Sequence, residues 1–352
     1  MKDQILEVYK QNIKIYTAYK ERVVNLLTDL LLDQEIVIHQ ISGRTKSLES
    51  LSKKIDEKGE KYTCIQDITD IIGIRIITYL ESDVDIVYAL IEKEFAIDTQ
   101  NSIDKRILKT DQFGYRSLHV VTMLNESRSD LKEYKKYKGF KCEIQVRSIL
   151  QHAWAEIEHD LGYKGEISIP DQYKRTFNRL SALLETADIE FDRLKAELKE
   201  YETNMPALIK SKPENVDINS TSINSFLSTN NILLEVQKLI EERIMAKLKP
   251  TDDFDLIIKL IKFHNFNSIG ELEKMLKANK ERFLKFSKLF IESGIKTNMR
   301  PMTIAPLLYF LHFLVGETQN MEKAIQYTTI FGQKNPTFAT EYISFYKEAG
   351  EV

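Results

Sequence analysis

Phe140-Lys141-Cys142-Glu143-Ile144-Gln145-Val146-Arg147 alternates without a break. In an extended strand Phe140, Cys142, Ile144 and Val146 share one face, and Lys141, Glu143, Gln145 and Arg147 share the other. Four polar groups on one strand face are either a solvated antiparallel face or the floor of a polar site. After Arg147 the period changes. Residues 148–161 follow helical spacing, which places His152, Glu156 and His159 on one helix face. A zinc ion could use such a triplet. Hydrogen-bonded support of the neighbouring strand is the better reading, because no further cluster of metal ligands accompanies it.

Working outward, the β-branched run Ile71-Ile72-Gly73-Ile74-Arg75-Ile76-Ile77 reads as a buried strand, and Leu118 to Leu124 as another. Phe95 to Thr99 is a further strand candidate. Residues 4–32, 47–58 and 84–94 have helical spacing. These runs predict an α+β fold with a mixed sheet of about four or five strands flanked by helices. Beyond Pro170 the strand signals stop. Residues 171–202 suit a long helix. Residues 203–222, with Pro206, Pro213 and the run NSTSINS, read as a linker. The expected organisation is a first domain over 1–202, a linker over 203–222 and an all-α domain over 223–352.

With 352 residues and 43% hydrophobic content, two ordinary domains have ample core material. A net charge of −3 gives no overall bias toward nucleic acid or membrane. Cys64 and Cys142 are too few for a disulfide framework or a four-ligand zinc site. The opening MKDQILEVYK lacks the apolar core of a secretory leader, so a cytoplasmic protein is expected. The longest apolar run, Met302 to Val315, is interrupted by Pro306 and His312. It is too short to span a bilayer and is expected to form a buried helix.

Phosphate chemistry needs cations on the phosphates, carboxylates for a metal and a base near the attacking oxygen. Gly43-Arg44-Thr45-Lys46-Ser47-Leu48-Glu49-Ser50, with Lys53 and Lys54, reads as a glycine-led loop entering a basic helix. Its N-terminus would favour an anion, unless it is an ordinary solvated helix start. Asp70 enters the isoleucine strand and is either a Mg²⁺ ligand or a turn residue. Arg75, inside that strand, must find a partner or a cleft. In Phe113-Gly114-Tyr115-Arg116-Ser117-Leu118-His119 a glycine turn feeds a strand on which Ser117, His119 and Val121 share a face. Tyr115 could offer a flat surface to a base, or simply pack.

In this order, GRTKSLES, DIIGIRI, FGYRSLH and EIQVRSILQHAWAEIEH with a closing Tyr163-Lys164 resemble the synthetase domain of the RelA/SpoT family over about residues 20–165. The resemblance implies a nucleotidyltransferase-like sheet and an ATP-dependent pyrophosphokinase making (p)ppGpp from GTP or GDP. It implies that Arg44, Lys46, Ser50 and Lys54 hold the ATP phosphates and that Arg75 stacks on adenine. Asp70 and Glu143 match the carboxylates that bind Mg²⁺, and Glu143 would also help activate the acceptor 3′-hydroxyl. Tyr115 matches the tyrosine stacking on guanine, His119 lies near the acceptor phosphates, and Gln145, Arg147 and His152 line the same region.

The sequence departs from the family in two places. Lys105-Arg106-Ile107-Leu108-Lys109-Thr110-Asp111-Gln112 stands where family synthetases have an Asp-Tyr-Ile-like stretch. This leaves the acceptor open between a guanosine nucleotide and the 3′ end of tRNA, the target of toxic relatives restrained by a C-terminal domain. Lys105, Arg106, Lys109, Lys132, Lys135, Lys136 and Lys138 could supply a surface for tRNA, or only solubilise a loop. About forty residues precede Arg44, too few for the HD hydrolase domain of the long enzymes, so no hydrolase activity is expected. A catalytically silent nucleotide sensor is the third reading, and retention of both Asp70 and Glu143 argues against it. Residues 223–352 are expected to be regulatory, touching the synthetase domain, a trigger protein or a second copy of the chain.

Overall fold

The computed structural model describes residues 2–58, 61–106, 117–162, 171–251, 253–293, 302–330 and 336–350. Tyr115, Tyr163, Lys164 and the stretch 107–112 lie outside the described residues. The chain divides into two compact units, Met1–Ala196 and Glu197–Val352.

The first unit is built on a six-stranded mixed sheet. Its strands are β1 (Ile38–Thr45), β2 (Ile72–Thr78), β3 (Phe95–Ile97), β4 (Ile103–Asp104), β5 (Leu118–Leu124) and β6 (Cys142–Ser148). The order is β1-β2-β6-β5-β3, with β4 also paired to β5. Only the central β2–β6 pair is parallel; the other pairs are antiparallel. The helices are α1 (Lys2–Asp33), α2 (Leu48–Lys58), α3 (Ser82–Glu94), the single turn α4 (Glu126–Ser129), α5 (Ile149–Gly162) and α6 (Asp171–Ser211), whose last turns belong to the second unit.

The alternation read from the sequence decides which sheet face becomes core. Ile72, Ile74 and Ile76 of β2, Cys142, Ile144 and Val146 of β6, and Leu118 and Val120 of β5 are buried together. They join Tyr19, Val23 and Leu27 of α1 and Val84, Val87 and Ile91 of α3 in one cluster. Each such aliphatic side chain contributes about 1.5–3 kcal/mol on burial. Phe140 precedes the strand yet keeps the core orientation expected of it, packing 5.3 Å from the ring of Tyr16. The opposite face carries the polar residues.

One sequence expectation is corrected here. Gly43, Arg44 and Thr45 end a strand, β1, instead of forming a loop into a helix. Gly43 serves packing: a Cβ there would lie 2.8 Å from Val24 Cγ2 and 3.0 Å from Lys20 Cγ on α1. The sheet has six strands against the four or five expected, and the two that were not anticipated, β1 and β4, carry no buried side chain or are short.

The second unit is all-α. After α6 come α7 (Ser220–Thr229), α8 (Asn231–Ile244), α9 (Asp255–Phe263), α10 (Ile269–Ala278), α11 (Lys280–Glu292), α12 (Ala305–Glu317), α13 (Met321–Ile330) and α14 (Pro336–Glu348). The apolar run forms α12 as expected, and all residues from Pro306 to Gly316 except Tyr309 are buried. The linker expected over 203–222 is instead folded. Met205, Ile209, Val216 and Ile223 are buried in the core of this unit. Asn219 accepts from Ser222 N at 3.0 Å, and Ser222 Oγ accepts from Asn219 N at 3.0 Å. The Asn/Ser run that suggested a linker is therefore capping chemistry for α7. The unit boundary falls between Ala196 and Glu197, inside α6. Among the described residues no helix is long and apolar enough to cross a membrane.

Candidate active site

Strand register assembles the site. Arg44 pairs with Gly73, Ser42 with Arg75, Gly73 with Glu143, Arg75 with Gln145, and Gln145 with His119. Paired residues share a face, so the polar positions of four strands form one floor. Ser42, Gly43, Arg44, Gly73, Arg75 and Gln145 line an open cleft there of about 160 Å³. A Cβ on Gly73 would come no closer than 3.7 Å to the protein, at Arg44 Cγ. The absent side chain leaves room above the floor.

At one side of the floor, Asp70 Oδ2 lies 2.6 Å from Lys54 Nζ and 3.0 Å from Lys46 Nζ. Burial pushes the Asp70 carboxyl up, but the Lys54 hydrogen bond and the two ammonium charges outweigh it and hold the carboxyl below its usual range. Burial likewise opposes the charged form of Lys54, and Asp70 overcomes it, so the ammonium is held above its usual range. Lys46 is fixed through its backbone: Lys46 N donates to Ile71 O at 2.8 Å, and Tyr9 of α1 donates its hydroxyl to Lys46 O. Ser47 Oγ accepts from Ser50 N at 3.1 Å and donates to Ser50 Oγ at 2.8 Å. Asp67, from the same sequence cluster, accepts from Thr63 and Cys64 and is a turn residue.

In the middle, Glu143 Oε1 is 2.7 Å from His119 Nδ1, and His119 Nε2 is 2.7 Å from Ser117 Oγ. Gln145 Nε2 donates to Glu143 Oε2 at 3.4 Å. Burial raises the Glu143 carboxyl, the His119 hydrogen bond and charge lower it, the Asp70 charge raises it, and the net direction is down. Glu143 is thus an ionised, half-buried carboxylate on an imidazole that can pass a proton onward.

At the other side, Glu156 of α5 meets two guanidinium groups and an imidazole. Its Oε1 accepts from Arg75 Nη1 at 2.9 Å and lies 3.5 Å from Arg147 Nη2 and 3.6 Å from His152 Nδ1. Burial, then the charges of Arg147 and Arg75, hold His152 below its usual range against the pull of Glu156. Among the described residues no group of three or more His, Cys, Asp or Glu side chains is placed to hold a metal. Of the helix-face triplet, His152 and Glu156 lie 3.6 Å apart, with Glu156 beside Arg147 of β6.

The structure thus brings together Arg44, Lys46, Ser50, Lys54, Asp70, Arg75, His119, Glu143, Gln145, Arg147 and His152 around one sheet face; Tyr115 lies outside the described residues. Sequence reasoning missed Ser42 because β1 was not legible as a strand. It missed the role of Tyr9 because helical spacing marks it only as core. The polar floor, the paired cations and the carboxylate–imidazole pair form one candidate enzyme site.

Comparison with known proteins gives that class its family. Residues 43–168 match the region found in RelA/SpoT proteins. The chain is 29% identical to the GTP pyrophosphokinase YjbM of Bacillus subtilis, over 48% of this chain and 77% of that protein. It is 30% identical to the GTP pyrophosphokinase YwaC of the same organism, over 48% of this chain and 81% of that protein. Among solved structures, small alarmone synthetase 1 from Bacillus subtilis is similar at 27% identity, covering 55% of this chain and 99% of that one, with a TM-score of 0.47. The chain belongs to the RelA/SpoT family of GTP pyrophosphokinases, which are transferases.

Proposed function

We propose that this chain transfers the β,γ-pyrophosphate of ATP to the 3′-hydroxyl of GTP or GDP. The acceptor oxygen attacks the β-phosphorus, the bond to the α–β bridging oxygen breaks, and AMP leaves. The observation that carries the reading is the arrangement on one sheet face of the Lys46–Asp70–Lys54 cluster beside the Glu143–His119–Ser117 chain. Lys46, Lys54, Arg44 and Ser50 hold the donor phosphates, and Arg75 at the cleft rim takes the adenine. Glu143 receives the acceptor proton, with His119 fixing its orientation. Gln145, Arg147 and His152 face the acceptor side, and Tyr115 is proposed to stack on its base. Asp70 and Glu143 fit a Mg²⁺ ion: Asp70 Oδ1 is buried without a hydrogen-bond partner, and the Asp70 charge acts on Glu143. When bound, Mg²⁺ supplies positive charge to the phosphates.

The tRNA reading needs a free basic surface. Arg106 is instead paired with Asp85 at 2.8 Å and Asp104 at 2.8 Å, and Lys138 with Asp130 at 2.9 Å. This favours the nucleotide acceptor. The similar proteins YjbM and YwaC are named GTP pyrophosphokinases, which supports a guanosine nucleotide as acceptor.

The test offers the full chain Mg²⁺ and γ-labelled ATP with GTP, GDP or bulk tRNA in separate reactions, with Glu143→Gln beside it. Label should move to GTP or GDP, and Glu143→Gln should lower the rate about 10²–10⁴-fold. Label in tRNA alone would replace the acceptor assignment, and an active Glu143→Gln would remove the base.

A further inference from the structure

Arg75 and Arg147 lie two positions apart along the parallel β2–β6 pair and project from the same face, since Arg75 is in register with Gln145 and Ile77 with Arg147. Arg147 is 2% exposed. Two guanidiniums this close, one of them buried, repel unless an anion intervenes, and a buried charge without a partner costs several kcal/mol. Glu156 is that anion. It sits one helical turn after His152 on α5, so both side chains reach down onto β2 and β6. One carboxylate oxygen faces Arg75, Arg147 and His152 together. Arg75 has a third of its side chain exposed and lines the cleft, and its 2.9 Å bond to Glu156 anchors it there.

We propose that Glu156 is a positioning residue. It holds the Arg75 guanidinium at the cleft and joins this donor-side group to Arg147 and His152 on the acceptor side. The inference rests on the reading that the cleft takes the donor nucleotide. Glu156 has no part in the bond-making step. Neutralising it frees the long Arg75 side chain from its charge-assisted anchor, so donor binding suffers more than turnover.

The test compares wild type, Glu156→Gln and Glu156→Asp as full-length chains. A non-hydrolysable ATP analogue is bound by calorimetry, and KM and kcat are measured for ATP. Glu156→Gln should weaken analogue binding and raise KM about 5–10-fold with kcat within about twofold, the signature of lost ground-state binding. Glu156→Asp, which keeps the charge, should recover most of the affinity. In an Arg75→Ala background the Glu156→Gln effect on analogue binding should vanish, because the two act through one contact. Unchanged analogue affinity in Glu156→Gln, or an undiminished loss in the Arg75→Ala background, overturns the proposal. A wild-type chain that binds the analogue but transfers no pyrophosphate defeats the proposed reaction and leaves the binding comparison decisive for Glu156.

Discussion

Lowering the pH from 7.5 to 5 should remove about 4 kcal/mol from the stability of the second unit through two histidines. His312 on α12 is 1% exposed, with Nδ1 2.9 Å from Tyr327 Oη and its ring stacked 4.3 Å from Tyr342. Burial, and then the charge of His264, push His312 down to about 3; burial pushes His264 down to about 4. In the unfolded chain both titrate near 6.5. Between the folded and unfolded values the unfolded state holds the proton and the folded state does not. Stability is therefore fully present above about pH 6.5, falls as pH drops, and levels off below the folded values. Integrated to pH 5, each site loses about 2 kcal/mol, a large share of an ordinary 5–15 kcal/mol. Urea unfolding of the full chain, followed by far-UV circular dichroism at both pH values, measures the loss. His312→Phe keeps the stack on Tyr342 and discards the titration. It costs stability at pH 7.5 through the missing bond to Tyr327, yet its pH 7.5-to-5 decrement should shrink by about 2 kcal/mol. A decrement as large as wild type would show that the buried imidazole is not what makes the unit acid-labile.

Two glycines should respond oppositely to a single added methyl group. At Gly316 a Cβ would sit 2.3 Å from Tyr342 O and 2.8 Å from Tyr346 Cβ, so Gly316→Ala forces α12 and α14 apart and should cost about 1–3 kcal/mol in thermal unfolding. At Gly73 the nearest protein atom would be 3.7 Å away, so Gly73→Ala should leave the melting temperature unchanged or slightly raised while raising KM for ATP several-fold. A Gly73→Ala enzyme with wild-type KM would show that the space above the floor is not the donor's.

The central strands were legible because burial alternates with a period of two over Ile72–Ile76 and Cys142–Val146, and β2 and β6 together fix which residues face the site. Their parallel pairing was not legible, since it depends on the connection through α3 and on β5. β1 was hidden for a physical reason: it is an edge strand with no buried side chain, so neither face carries an apolar signal. Its glycine looked like a turn because the contact that requires it, Val24 of α1, lies nineteen positions earlier in the sequence. The stretch 203–222 misled because asparagine and serine serve linkers and helix caps equally well, and only burial of Met205, Ile209 and Val216 separates the two. The Lys46–Asp70–Lys54 cluster could be suspected from residue types alone. Glu156 could be placed with His152 on one helix face, but not its guanidinium partners, because Arg75 and Arg147 meet it only when α5 lies against β2 and β6.

The site cations are held by carboxylates of the protein itself. Asp70 holds Lys46 and Lys54, Glu156 holds Arg75 and Arg147, and the base Glu143 is held by His119. A nucleotide must therefore compete with internal counter-ions, and its affinity is the difference between two sets of charge-assisted contacts. A monophosphate offers too few oxygens to engage Lys46 and Lys54 while Asp70 keeps its hold. A triphosphate can do so at several points at once, and a divalent ion between Asp70 and the phosphates would remove the competition. If the proposed reaction holds, the internal ion pairs do more than stabilise the first unit: a ligand must displace them, so a polyphosphate such as ATP is expected to bind more tightly than the AMP that leaves.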